Sequence, residues 1–140
     1  MVVAVGTKQK QSIMLIYNNL DMLELLNGGL KDDGYDTIIE VDEAEASTML
    51  DKITPDMVIM DTVTADAHSL QIMDTIKNKT NAPVVVITPD NDIYTLKKLF
   101  DHGADDLVYK PLNMRILVAR VHAILRRWYR FPKDLLFSLN

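Results

Sequence analysis

The sequence predicts an α/β domain: a five-stranded, parallel, doubly wound sheet with five helices. Short apolar runs, typical of strands buried on both faces, alternate with longer segments of helical periodicity. The connections are short, and such alternation favours parallel strands joined by right-handed helical crossovers. A third observation is a run of four apolar residues, 57–60, that leads directly into the carboxylate of Asp61. Because ligands and chemistry collect at the carboxyl ends of strands in such sheets, Asp61 is the first candidate site residue.

Each predicted element has its own local signal. Apolar and β-branched runs predict strands over 12–17, 35–41, 57–61, 84–88 and 107–109. Apolar residues at helical spacing predict helices over 20–32, 43–52, 70–79, 93–102 and 114–128. Gly34 and Gly103 suit the left-handed position that follows a helix, and Pro55 breaks the chain before the third strand.

Composition bounds the class of protein. With 140 residues, 48% hydrophobic and 25% charged, the chain has the size and polarity of one globular domain. The absence of cysteine excludes disulfides and thiolate metal sites. No apolar run approaches the roughly 18 residues of a membrane-spanning helix, and the N-terminus lacks a signal-peptide core, so we expect a cytoplasmic protein without membrane partners. We divide it into a disordered tail (1–11), the domain (12–128) and a linker or C-terminal extension (129–140).

Charge is distributed unevenly along the chain. The net charge is -5, yet residues 32–66 hold eleven acids and one base, whereas residues 110–133 hold seven bases and no acid. Such a distribution is typical of two solvated faces of opposite sign. It also fits an acidic site on one side and a basic, partner-facing helix on the other.

Polar side chains follow four of the predicted strands. Asn18 and Asn19 come after the first strand, Asp61 after the third, Thr88 after the fourth and Lys110 after the fifth. Because the carboxyl ends of parallel strands share one edge, an acid, a hydroxyl and an ammonium are expected to meet there. The lysine can neutralise a charged or phosphorylated aspartate, and the threonine can hydrogen-bond to its oxygens.

These residues resemble the receiver domain of two-component response regulators, over about 12–127. The most specific stretches are 84–88 (VVVIT), 103–106 (GADD), 109–112 (YKPL) and 118–127, and the last resembles the subfamily with a winged-helix DNA-binding output domain. The resemblance implies a flavodoxin-like receiver fold and phosphorelay signal transduction. It also implies that Asp61 is the phospho-acceptor, that Thr88 swings to the phosphoryl group and that Lys110 contacts it.

The sequence departs from the receiver pattern in its metal site and its switch. Asn18 and Asn19 replace two acids that, in the family, hold a divalent cation together with a backbone carbonyl near Val63. Mg²⁺ prefers anionic oxygen ligands, so we expect no cofactor or only weak Mg²⁺ binding, and weak or absent phosphorylation. Leu107 stands where the family has an aromatic switch residue.

The resemblance also implies partners. Receivers of the winged-helix subfamily dimerise through the fourth helix, fifth strand and fifth helix, which suggests an Asp106–Arg120 pair and, more weakly, an Asp101–His122 pair. The predicted homodimer face consists of Leu96, Asp101, Asp106, Ile116, Arg120 and His122. A sensor histidine kinase is implied without being identified, and DNA would be contacted only through an output domain outside this chain.

Two other functions remain open, and enzyme functions are disfavoured. The preferred interpretation is an atypical receiver that is the input and dimerisation module of a transcription regulator. The alternatives are a conventionally phosphorylated receiver and a pseudo-receiver that binds a small ligand. A phosphatase of the haloacid type would need a second aspartate at position 63, which is Val63, and a dinucleotide enzyme would need a GxGxxG motif, which is absent.

Overall fold

The computed structural model describes residues 10–17, 19–40, 43–62 and 65–130. Five parallel strands form one sheet in the order β2-β1-β3-β4-β5, and a helix follows each strand. The strands are β1 (Ser12–Ile16), β2 (Asp36–Glu40), β3 (Met57–Asp61), β4 (Val84–Thr88) and β5 (Asp106–Tyr109). The helices are α1 (Leu20–Asp32), α2 (Glu43–Leu50), α3 (Ala67–Lys79), α4 (Ile93–Asp101) and α5 (Met114–Arg130). The predicted fold class is confirmed.

Two apolar cores lie on opposite faces of the sheet. Successive strand residues point to opposite faces, so Met14 and Ile16 pack under α2, α3 and α4, whereas Ile13 and Leu15 pack under α1 and α5. The central strands β3 and β4 are buried along their whole length. The rigid centre of the sheet therefore ends at the edge that carries Asp61.

Side-chain caps define where several helices begin. Asp66 accepts a hydrogen bond from the backbone N–H of Ser69, and Asp92 accepts one from that of Thr95, both at 2.9 Å. These bonds satisfy amide groups that have no partner within the helix. The Asp66 cap explains why α3 starts at Ala67, three residues before the predicted start.

The last helix is longer than predicted. Residues 129 and 130, assigned to a linker from the sequence, lie within α5. The Tyr129 hydroxyl donates to the carbonyl oxygen of Asp56 at 2.8 Å, and this bond fastens the last turn to the start of β3. Predictions for residues 1–9 and 131–140 fall outside the described residues. Within the described ranges, no helix is long and apolar enough to cross a bilayer.

Two consecutive glycines lie inside α1, and only one has a packing reason. A Cβ built on Gly29 would clash with the terminal methyl of Met114, the first residue of α5. A Cβ on Gly28 would meet nothing within 4 Å. Gly29 therefore makes room for α5 beside α1, whereas Gly28 carries the helix-propensity penalty of glycine without a contact that requires it.

Candidate functional site

The site is built on an ion pair between Asp61 and Lys110. The Asp61 side chain has no exposed surface, whereas the Lys110 side chain is 24% exposed. The Lys110 ammonium lies 2.7 Å from Oδ1 of Asp61. Lys110 follows β5, two strands away from β3, and its peptide bond to Pro111 is cis. The predicted meeting of these two residues is thus present in the structure.

Thr62 contacts Lys110 from a second side, and this role was not predicted from the sequence. Its carbonyl oxygen accepts a hydrogen bond from the Lys110 ammonium at 3.0 Å. Its own N–H and hydroxyl both donate to the carbonyl oxygen of Ile87, at 2.9 and 3.0 Å. These bonds tie the end of β3 to β4 and fix the acceptor that Lys110 uses. Only its position after Asp61 could have drawn attention to Thr62.

Thr88 lies at the same edge, fully buried. The register pairs Asp61 with Ile87, so Thr88 is one residue further along β4. The Thr88 hydroxyl oxygen accepts a hydrogen bond from the backbone N–H of Asp90 at 3.1 Å, and its carbonyl accepts from the N–H of Lys110 at 2.9 Å. The side chain thus stabilises the turn after β4 next to the ion pair.

The predicted degenerate metal site is only partly described. Asn18 and Val63 lie outside the described residues. The side-chain oxygen of Asn19 accepts the N–H of Met22 at 2.9 Å, which makes Asn19 the N-cap of α1. Ile16 pairs with Met60, so the next residue, Tyr17, lies level with Asp61. The Tyr17 side chain is buried. Tyr17 was not predicted as a site residue because in the sequence it is the end of an apolar strand.

This donor set does not fit a hard divalent cation. Among the described residues the buried carboxylate is that of Asp61, and the Lys110 ammonium already lies against it. Asn19 uses its oxygen as a cap. Within the described ranges, no three histidine or acidic side chains are grouped so that they could hold a metal. Mg²⁺ needs several oxygen ligands in near-octahedral geometry, and the described part of this edge offers too few.

The switch position, Leu107, is part of the core. It is 3% exposed and packs in the apolar cluster under α2, α3 and α4. Its side chain has no polar atom, so that side chain offers no hydrogen bond to the Thr88 hydroxyl or to a group on Asp61.

Four residues of the predicted dimer face, Leu96, Asp106, Ile116 and Arg120, lie on α4, β5 and α5. Asp106 and Arg120 form an ion pair within the chain, with both carboxylate oxygens 3.1–3.2 Å from Nη1 of the arginine. Ile116 is 50% exposed, and Leu96 packs against the core.

The other pair, Asp101 with His122, was predicted across a dimer, and within the chain each of these residues has a different partner. Asp101 contacts Lys97 at 2.7 Å. His122 lies 2.5 Å from Asp33, beyond the end of α1, and its ring meets Tyr35 edge-on. The packing of α5 turns His122 toward α1 within the chain, and its place in the dimer face stays a prediction. Helical periodicity alone does not give that rotation.

Comparisons with known proteins show the family to which the chain is related. The family model "Response regulator receiver domain" matches residues 13–122. The DNA-binding response regulator MtrA of Mycolicibacterium smegmatis is 29% identical over 127 residues, which cover 91% of this chain and 56% of that protein. The response regulator ArlR of Staphylococcus saprophyticus is 28% identical, over 82% of this chain and 52% of that protein. The chain thus spans about half the length of these relatives.

Solved structures agree as well. A two-component response regulator from Clostridium difficile superposes with a TM-score of 0.79 at 28% identity, over 86% of this chain and 99% of that one. A response regulator from Thermotoga maritima, 24% identical, has the same fold, with a TM-score of 0.76 over 84% of this chain and 98% of that one. With the family match over residues 13–122, the chain belongs to the receiver domains of two-component response regulators.

Proposed function

We propose that this receiver is an atypical one, in which phosphorylation at Asp61 is weak or absent. The observation that carries the proposal is an enclosed Asp61 in a chain that has Asn18 and Asn19 where the family has two cation-binding acids. The Asp61 side chain has no exposed surface and is paired with Lys110 at 2.7 Å. An acceptor carboxylate must reach the phosphorus of a donor, and a cation normally offsets the charge that develops during transfer. Here the carboxylate is enclosed, and the neighbouring donor set fits a cation poorly.

A test compares wild type with two variants. The protein is incubated with Mg²⁺ and acetyl phosphate, and intact mass is followed over time. Asp61→Asn serves as the acceptor control, and Asn18→Asp/Asn19→Asp restores the acids that the family carries. We expect little or no adduct on wild type and a larger amount on the restored variant. Rapid, complete labelling of wild type that is lost in Asp61→Asn would establish conventional phosphorylation instead.

We further propose that the domain acts as a signalling and dimerisation module rather than as an enzyme. Three apolar side chains, Phe100, Tyr109 and Ile116, are 44–50% exposed on α4, β5 and α5. Tyr109 and Ile116 line one surface pocket, and exposed apolar groups that lie together favour association. The similar MtrA proteins are named DNA-binding response regulators, which supports a role as the input part of a transcription regulator. The sensor kinase and the cytoplasmic location stay predictions.

Sedimentation velocity tests the dimer without any phosphodonor. We expect wild type to dimerise at high protein concentration and Ile116→Asp to remain monomeric. Leu25→Asp is a matched control, because Leu25 is an aliphatic residue of similar exposure, 44%, on α1. A monomeric wild type, or equal effects of the two substitutions, would contradict dimerisation through this face.

A further inference from the structure

Helix α5 carries positive charge that the proposed function does not use. Its 17 residues include five arginines and no acidic residue. The whole chain has a net charge of -5, so the residues outside α5 carry -10 between them. The helix is therefore a basic surface on an otherwise acidic protein. A local field of this sign attracts anionic partners.

Part of this charge is neutralised within the chain, and part is not. Arg120 is paired with Asp106, and His122 lies against Asp33. Arg115, Arg126 and Arg127 are exposed, and none of them takes part in the salt bridges formed among the described residues. These three guanidinium groups, the outer arginines, remain available to a partner.

The outer arginines lie on the solvent side of one rigid helix. Arg115 and Arg126 are eleven residues apart, or about three turns, so they share one side of α5 at a separation of about 16 Å along its axis. Arg127 adjoins Arg126. Between them on this side lie Ala119 and His122, both exposed, and the half-buried Ala123; the His122 ring is paired with Asp33. The surface between the charges therefore has no large apolar side chain, and one carboxylate lies beside it.

We propose that the outer arginines contact the phosphate backbone of double-stranded nucleic acid. A nucleic-acid duplex is a rigid polyanion that can contact Arg115 and Arg126 at the same time. Guanidinium groups bind phosphate oxygens with two parallel hydrogen bonds. A protein partner would need large apolar or aromatic anchors at the centre of the contact, where this surface has alanine and a histidine already paired with Asp33. A lipid surface would need the apolar side of α5, but Leu117, Val121 and Leu125 are buried against the sheet.

The expected binding is weak, sequence-independent and salt-sensitive. Three phosphate contacts predict a slope of about -2.7 for log K against log salt concentration. Raising salt from 50 to 200 mM should then weaken binding about 40-fold. The inference does not depend on phosphorylation of Asp61, so the two proposals fail independently.

The test measures fluorescence anisotropy of a labelled DNA duplex with the full 140-residue chain. The variant is Arg126→Ala/Arg127→Ala. The matched control is Lys97→Ala/Lys98→Ala on α4, which makes the same change in net charge away from α5. Thermal melts confirm that each variant is folded. We expect the arginine variant to bind at least about tenfold more weakly at 50 mM salt, with a slope near -0.9, and the lysine control to match wild type.

Three results would overturn the inference. The first is no measurable binding of wild type at 50 mM salt. The second is an equal loss in the arginine variant and the lysine control, which would mean that net charge alone governs binding. The third is binding of polyaspartate or anionic lipid vesicles as tight as that of the duplex, which would assign the surface to an acidic protein or a membrane.

Discussion

Removing one partner of the Asp61–Lys110 pair should destabilise the fold far more than removing the other. The Asp61 side chain has no exposed surface, whereas the Lys110 side chain is 24% exposed. In Lys110→Met the carboxylate stays buried and loses its ammonium, which typically costs about 3–5 kcal/mol. In Asp61→Asn the lysine can turn its ammonium toward water along its flexible stem, so the expected cost is about 1 kcal/mol.

Urea unfolding at neutral pH measures this asymmetry. With a slope of about 1.5 kcal/mol per molar urea, Lys110→Met should lower the midpoint by about 2–3 M and Asp61→Asn by less than about 1 M. The double variant Asp61→Asn/Lys110→Met should be more stable than Lys110→Met, because it leaves no charge buried. Equal costs for the two single variants would refute the enclosed-carboxylate argument, as would a double variant less stable than Lys110→Met.

Three further predictions concern the rest of the fold. Gly28→Ala should raise the free energy of unfolding by about 0.5–1 kcal/mol. Gly29→Ala should raise it less or lower it, because the new methyl meets Met114, and adding Met114→Ala to Gly29→Ala should restore the increase. Identical effects of Gly28→Ala and Gly29→Ala in urea melts would contradict the close approach at Gly29. Asp66→Ala and Asp92→Ala should lower stability at pH 7. The Ser69 and Thr95 amides hold the pKa of these carboxyls below the usual 3.8. Each cap therefore stabilises the fold fully at pH values above 3.8, and this stabilisation is lost as the pH falls through the lower pKa of the folded state. A difference between wild type and cap variants that persists unchanged into strong acid would argue against this linkage. Tyr129→Phe should cost about 1 kcal/mol and speed amide exchange in the last turn of α5, and unchanged exchange there would mean that its bond to Asp56 is not formed in solution.

The sequence by itself determined the fold and the main site residues. Strand and helix periodicities are local signals, so the alternation of five strands and five helices could be read directly, and parallel topology then placed Asp61, Thr88 and Lys110 at one edge. Caps such as Asp66 carry a local signal as well, although the boundary of α3 was misplaced by three residues.

Tertiary structure alone decided the contacts that depend on how the elements are rotated and spaced. His122 meets Asp33 rather than Asp101 because the packing of α5 against α1 sets its rotation, which helical periodicity leaves open. Thr62 became visible as a support for Lys110 only once β3 and β4 were in register. The enclosure of Asp61 is likewise a property of the assembled sheet edge. Such contacts join residues up to 89 positions apart, and no local pattern encodes a distance between elements that only packing brings together.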